Sequence, residues 1–206
     1  MRLGILVSGR GSNLEAVLEA IADGRLPAVE AALVIANRPG IRALEVAARR
    51  GVPWRLLARD DFPSADARDE AIGRALGEAT CDVALLAGYD QVLRPPFFGG
   101  FGGRTINIHP SLLPRHGGRG MVGLAVHAAV LAAGDTETGV TIHEVTPVLD
   151  AGPAILQVRV PVIPGESAVD LADRVLEVEH RALVEVLADL SGSMTAASPA
   201  PIRALR

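Results

Sequence analysis

Between residues 2 and 89 the chain carries four short apolar runs (2–8, 29–37, 53–58 and 82–89). Each of the first three is followed by a stretch whose apolar side chains recur at helical spacing: LEAVLEAIADG, GIRALEVAARRG and ADARDEAIGRALGEA. Runs that are apolar at successive residues, not at every second one, belong to strands buried on both faces. Strand alternating with helix assembles such strands into a parallel sheet covered on both sides. The expected fold class is therefore α/β, a mostly parallel central sheet with helices on both faces.

After Tyr89 the pattern loosens. A Gly/Pro/Phe-rich connection, RPPFFGGFGGR, leads to TINIHPSLLP at 105–114, which begins as a strand and stops at a proline. Next come a glycine-rich loop, RHGGRGMVG (115–123), and a helical stretch, LAVHAAVLAAGD. Two alternating strands, GVTIHEVT and AILQVRVPV, follow, joined by the turn-rich PVLDAGP. A long helical stretch from 167 to 190 closes the pattern, with no repeat or linker inside it. The expected organisation is one domain over 1–190, a size that 206 residues suit, and a small-residue, proline-rich tail over 191–206.

Composition removes several chemistries. All 20 basic residues are Arg, so no lysine serves a P-loop or forms a Schiff base. Cys81 is the only cysteine, which excludes a disulfide framework and points to a reducing, cytoplasmic setting. A net charge of −4, scattered arginines and few aromatics argue against nucleic acid as a partner. The first apolar run is short and closed at once by glycines, so it reads as a strand and not as a signal peptide. No run reaches membrane-spanning length, and no membrane partner is expected. The histidines lack metal-ligand spacing, so no metal is expected.

Two places concentrate polar groups where an apolar strand ends. SGRGSN (8–13) lies between the first strand and the first helix, where backbone N–H groups and the helix dipole favour an anion. The same loop also serves as a plain glycine turn, with Ser12 or Asn13 capping the helix. A dinucleotide fingerprint would need glycine at Leu14 and an acidic residue at Asn37, so nicotinamide is disfavoured. At the second place Asn107 and His109 are two apart, hence on one face of their strand. An amide donor beside an imidazole suits an oxygen that becomes negative, and equally suits a satisfied polar pair at a strand end. Asp150 is a candidate carboxylate for the imidazole, or a turn-forming Asp. His143 shares a strand face with Thr141 and Val145 and has at most a supporting part; His127 and Glu177 read as helix-surface or packing residues.

Taken in order, SGRGSNLEA, LAGY, NIHPSLLP and VTPVLDAGP resemble the folate-dependent formyltransferase family, in the branch that acts on glycinamide ribonucleotide. NIHPSLLP marks the wider family, and SGxGSN narrows it to this branch. The sister branches carry a further domain, after the formyltransferase domain in methionyl-tRNA formyltransferase and before the glycine loop in formyltetrahydrofolate hydrolase. Neither is expected here.

The resemblance implies a Rossmann-like formyltransferase fold. It implies transfer of a formyl group from 10-formyltetrahydrofolate to the amine of glycinamide ribonucleotide in purine synthesis, by a monomer or homodimer without a metal. Gly11, Ser12 and Asn13 would cradle the ribonucleotide phosphate, and Glu179 would meet the glycinamide. Asn107, His109 and Asp150 would be the catalytic trio, with Asp150 holding the His109 imidazole in its charged form. Asp90, Gln91, Val92 and Leu93, with Asn107 and the loop Thr146, Pro147, Val148, Leu149 and Asp150, would line the folate pocket. The sequence departs from the family pattern at Ala65, where an arginine for folate is common; Arg68, one turn on, is the substitute cation. It departs again at Asp90-Gln91, where some members have an apolar residue and an arginine. Hydrolysis of the formyl donor and non-catalytic phosphate binding are the competing readings, and the second leaves Asn107, His109 and Asp150 unused.

Overall fold

The computed structural model describes residues 1–195. The chain divides into two compact units, one ending at Ile106 and the other beginning at Asn107. The first holds β1 (Arg2–Val7), β2 (Glu30–Ala36), β3 (Trp54–Leu56) and β4 (Val83–Leu86), with α1 (Ser12–Ala22), α2 (Arg42–Arg49), α3 (Ala65–Glu78) and α4 (Pro95–Gly100). β1 pairs in parallel with β2 on one side and β4 on the other, and β3 adds in parallel to β2. Leu3, Ile5, Leu6 and Val7 on β1, and Leu33 to Ala36 on β2, are buried at successive positions. That is the burial of strands covered on both faces. β3 is shorter than the expected 53–58; it pairs only with β2, and its Trp54 stays exposed. Ser64 starts α3 by accepting the Ala67 N–H at 3.1 Å, a side-chain cap for the first turn.

β5 (Arg104–His109) begins in the first unit and ends in the second. The second unit continues with α5 (Leu124–Ala132), β6 (Glu137–Glu144), β7 (Ala154–Pro161) and α6 (Ala168–Thr195). The seven strands run in the order β3-β2-β1-β4-β5-β6-β7, and β6 and β7 pair antiparallel. The sheet is thus mostly parallel, in line with the expected fold class.

α6 packs on α5, β6 and β7. It runs past the expected helix end at 190, where Ser191 and Ser193 return their hydroxyls to the carbonyls of Ala188 and Leu190 at 2.9 and 3.0 Å. Such back-bonding satisfies the hydroxyls inside the helix without adding to its stability. From residue 196 on, the expected tail lies outside the described residues.

Candidate active site

The polar cluster of the second unit is built around His143. The β6–β7 register shifts between Ile142 and His143, an irregularity that re-aims the side chain beside it. His143 is buried, and its Nδ1 lies 2.8 Å from the Glu144 carbonyl oxygen. A carbonyl only accepts, so Nδ1 carries the proton. Burial holds the His143 pKa below the ordinary histidine value. The Glu144 carbonyl and the Asp150 charge oppose that shift, and His109 reinforces it. A neutral ring protonated at Nδ1 must accept at Nε2, and there the Asn107 Nδ2–H donates at 3.0 Å. His143 therefore decides which end of the Asn107 amide faces it, and a second Nδ2 hydrogen remains for a ligand.

Asp150 lies near the same nitrogen of this imidazole. Its Oδ2 accepts the Gly118 N–H at 2.7 Å, and its Oδ1 stands 3.8 Å from His143 Nε2, beyond hydrogen-bond reach. The residue sits at φ +51°, a left-handed conformation that aspartate tolerates better than most. Two residues on, Gly152 lets the turn close against the end of β6. A Cβ there would lie 1.8 Å from the Glu144 carbonyl oxygen.

His109 is buried too and likewise binds a carbonyl: its Nε2–H donates to His116 O at 2.8 Å. Among the described residues His109 and Asp150 form no ion pair. The carboxylate expected to hold His109 faces His143 instead, because the turn at 150 anchors it on Gly118. The loop that supplies the His116 carbonyl is pinned from the sheet. Thr141 Oγ1 donates to Ser111 O at 2.6 Å and accepts the Leu113 N–H at 3.0 Å, and Gln157 Nε2 donates to Leu113 O at 2.9 Å. Of the other expected residues of this unit, Glu179 is buried on α6. Thr146 closes a turn on Val148, its Oγ1 donating to Val148 O at 3.0 Å. Val148 and Leu149 leave their side chains 66% and 40% exposed.

In the first unit, Gly11 and not Ser12 or Asn13 takes the cap position of α1. It lies at φ +75°, and a Cβ would fall 2.8 Å from Ala43 Cα, so the turn needs glycine. Gly11 has no side chain with which to cap the first turn, and the N–H groups there point out of the helix at its positive end. Asp90 is used up within the protein. Its carboxylate accepts from Asn37 Nδ2 at 2.8 Å and Gln91 Nε2 at 3.0 Å and pairs with Arg38, while its N–H donates to Ser8 Oγ at 3.0 Å. Burial works to raise its pKa, but these hydrogen bonds and the Arg38 charge outweigh that and hold it below the usual carboxylate range. Leu93 is core, and Val92 is 43% exposed.

Arg68 does not serve as a substitute cation. It is 2% exposed and bonded to the equally buried Asp69 at 2.8 Å, since its place on α3 faces inward. Among the described residues no group of three His, Cys, Asp or Glu is placed to hold a metal, and no helix is long and apolar enough to cross a membrane.

Sequence alone missed three contributors: His143 as the hub, the His116 carbonyl and the Gly118 N–H. The two-residue spacing from Thr141 was the only signal for His143. The other two are backbone groups that no residue pattern announces.

Residues 1–187 match the family model described as formyl transferase. The chain is 38% identical to phosphoribosylglycinamide formyltransferase of Escherichia coli over 180 residues, which cover 87% of this chain and 82% of that one. It is 40% identical over 191 residues to the trifunctional purine biosynthetic protein adenosine-3 of Drosophila pseudoobscura pseudoobscura, covering 92% of this chain but only 14% of that one. Among solved structures, glycinamide ribonucleotide transformylase 1 from Symbiobacterium toebii superposes with a TM-score of 0.87 at 37% identity, over 94% of this chain and 88% of that one.

Proposed function

The chain belongs to the formyl transferase family, and from that premise we propose that it moves the formyl group of 10-formyltetrahydrofolate onto the amine of glycinamide ribonucleotide, a cytoplasmic step of purine synthesis. The observation that carries this reading is the Asn107 amide, oriented by a neutral His143 and two residues from His109, with an Asp150 oxygen 3.8 Å from His143 Nε2. Such a cluster offers donors to one oxygen and a carboxylate for one proton.

In the reaction the amine nitrogen forms a bond to the formyl carbon, and the carbonyl oxygen becomes negative. The remaining Asn107 Nδ2 hydrogen and the His109 ring nitrogen not spent on His116, when protonated, donate to that oxygen. Losing one such donor typically raises the barrier by about 3 kcal/mol. An α-amine titrates near pH 8, so a useful share is neutral at pH 7 and no strong base is required. Collapse of the intermediate breaks the bond from the formyl carbon to the folate nitrogen. The proton lost by the attacking amine balances the one gained by that leaving nitrogen, and Asp150 is the carboxylate available to pass it. The first turn of α1, at Gly11, Ser12 and Asn13, takes the ribonucleotide phosphate at the positive end of the helix. Val148 and Leu149 offer exposed apolar side chains to the folate, and Glu179 is the acid assigned to the glycinamide.

The test is incubation of the chain with 10-formyltetrahydrofolate, with and without glycinamide ribonucleotide, following the absorbance of the released folate. Turnover only with the ribonucleotide is the expected result. Formate release without it would make the chain a hydrolase, and no turnover in either case would reduce it to a binding module.

A further inference from the structure

Resting on that transfer reaction, we propose that Asp135 and His116, neither of which touches the reacting atoms, are positioning residues that set where the His109 ring carries its proton. His116 is left-handed, at φ +52°. That conformation is costly for a residue with a Cβ, and it persists only where the surroundings hold it.

What holds it here is its own side chain. His116 Nε2 lies 2.7 Å from Asp135 Oδ2, and Asp135 is itself gripped by the guanidinium of Arg115. The Asp135 side chain is 7% exposed. The His116 hydrogen bond, and after it the Arg115 charge, hold the Asp135 carboxyl below the usual carboxylate range, so the grip stays charged. A third tie comes from Ser111, whose hydroxyl donates to Arg115 O at 2.6 Å.

The consequence appears on the other side of the His116 backbone. Its carbonyl accepts the His109 Nε2–H at 2.8 Å. Because a carbonyl can only accept, Nε2 keeps its proton in either charge state, and Nδ1 becomes the ring nitrogen that gains or loses one. Asp135, just past the end of α5, therefore acts on His109 through one imidazole and one peptide unit. No sequence motif links the three residues.

The test uses the full chain in four forms: wild type, Asp135→Ala, His116→Gly and the double variant, with Asp135→Asn as the conservative control. Asp135→Ala should lower kcat by about tenfold or more, the usual cost of a small misplacement, and leave both KM values within about twofold. Asp135→Asn should recover most of that loss, since its Oδ1 still accepts from His116. Glycine adopts the left-handed turn without a side-chain grip, so Asp135→Ala should add no further loss in the His116→Gly background.

Nitrogen NMR of histidine-labelled protein reads the ring directly. The wild-type His109 should hold its neutral-state proton on Nε2, and Asp135→Ala should show a mixture of tautomers. An unchanged tautomer in Asp135→Ala, or losses that simply add in the double variant, would overturn the proposal. The ring readout needs no substrate, so a wild-type chain inactive on glycinamide ribonucleotide would defeat the transfer reading without deciding this one.

Discussion

Asp90 in the first unit and Asp150 in the second each lie in a loop that follows a strand, yet their oxygens are used differently. Asp90 has its carboxylate filled by Asn37, Gln91 and Arg38, and its N–H is bound by Ser8. Ser8 follows β1, Asn37 follows β2 and Asp90 follows β4, so this aspartate ties three parallel strand ends together. Asp150 accepts one backbone N–H and turns its other oxygen toward a neutral imidazole 3.8 Å away. A carboxylate saturated by its own protein is structural, whereas one left under-coordinated beside a buried histidine has capacity for a substrate proton.

The largest expected effect tests the open side of this contrast. Asp150→Asn keeps an acceptor for the Gly118 N–H but loses the charge, and turnover should fall by at least about a hundredfold. Calorimetry should show both substrates still binding. Near-normal turnover in the folded variant would make Asp150 as structural as Asp90.

A smaller effect is expected at the hub. His143→Ala removes the acceptor that orients Asn107, and kcat should drop roughly tenfold, less than the roughly hundredfold lost when an oxyanion donor is removed outright. The first unit has its own candidate ligand contact, the first turn of α1. Ser12→Pro deletes one N–H at a position where proline fits a helix start. It should raise KM for the ribonucleotide about tenfold, the value of one hydrogen bond to a charged group. KM for the folate should stay unchanged, and equal losses for both would remove the phosphate assignment.

The smallest activity effect belongs to the saturated aspartate. Asp90→Ala should leave kcat within about threefold, yet lower unfolding stability by roughly 2 kcal/mol in a denaturant titration, since its partners lose a charged acceptor. A large loss of kcat without loss of stability would erase the contrast.

The two groups also separate by pH. The depressed Asp90 pKa stabilises the fold above the unfolded carboxylate value and is lost as pH falls through the folded one. His143 is also depressed, but it is a base. Above the ordinary histidine pKa neither state binds its proton. Below it the unfolded chain takes up a proton that the fold resists, and stability falls. Denaturation of wild type and His143→Gln at pH 8 and pH 5.5 should show a smaller difference in the variant. His127, also depressed by burial, adds to the same slope in both proteins.

Much of this molecule was legible from residue order. Apolar runs such as ILV on β1 and VALL on β4 can only be buried, and their alternation with helical stretches forces a mostly parallel sheet. Asn107 and His109 were readable as a pair because strand geometry alone puts them on one face. Residue order left Ser12 or Asn13 open as alternative caps, because a sequence does not reveal that Ala43 crowds the turn until only Gly11 fits it. Arg68 looked like a ligand cation because helical spacing gives the direction of a side chain along its helix, not which face of that helix is covered.

The sequence by itself determined the alternation of elements, the strand carrying Asn107 and His109, and the chemistry that these two residues and Asp150 have to offer. Local periodicity and side-chain type are properties of neighbours along the chain, and they survive without a fold. Only the tertiary structure decided that Asp150 faces His143, that His143 orients Asn107, and that a carbonyl held through Asp135 faces His109. Hydrogen bonds of 2.7–3.0 Å between residues 19–36 positions apart depend on a register shift and left-handed turns, and those are settled when β6, β7 and their loops pack, not when the chain is written.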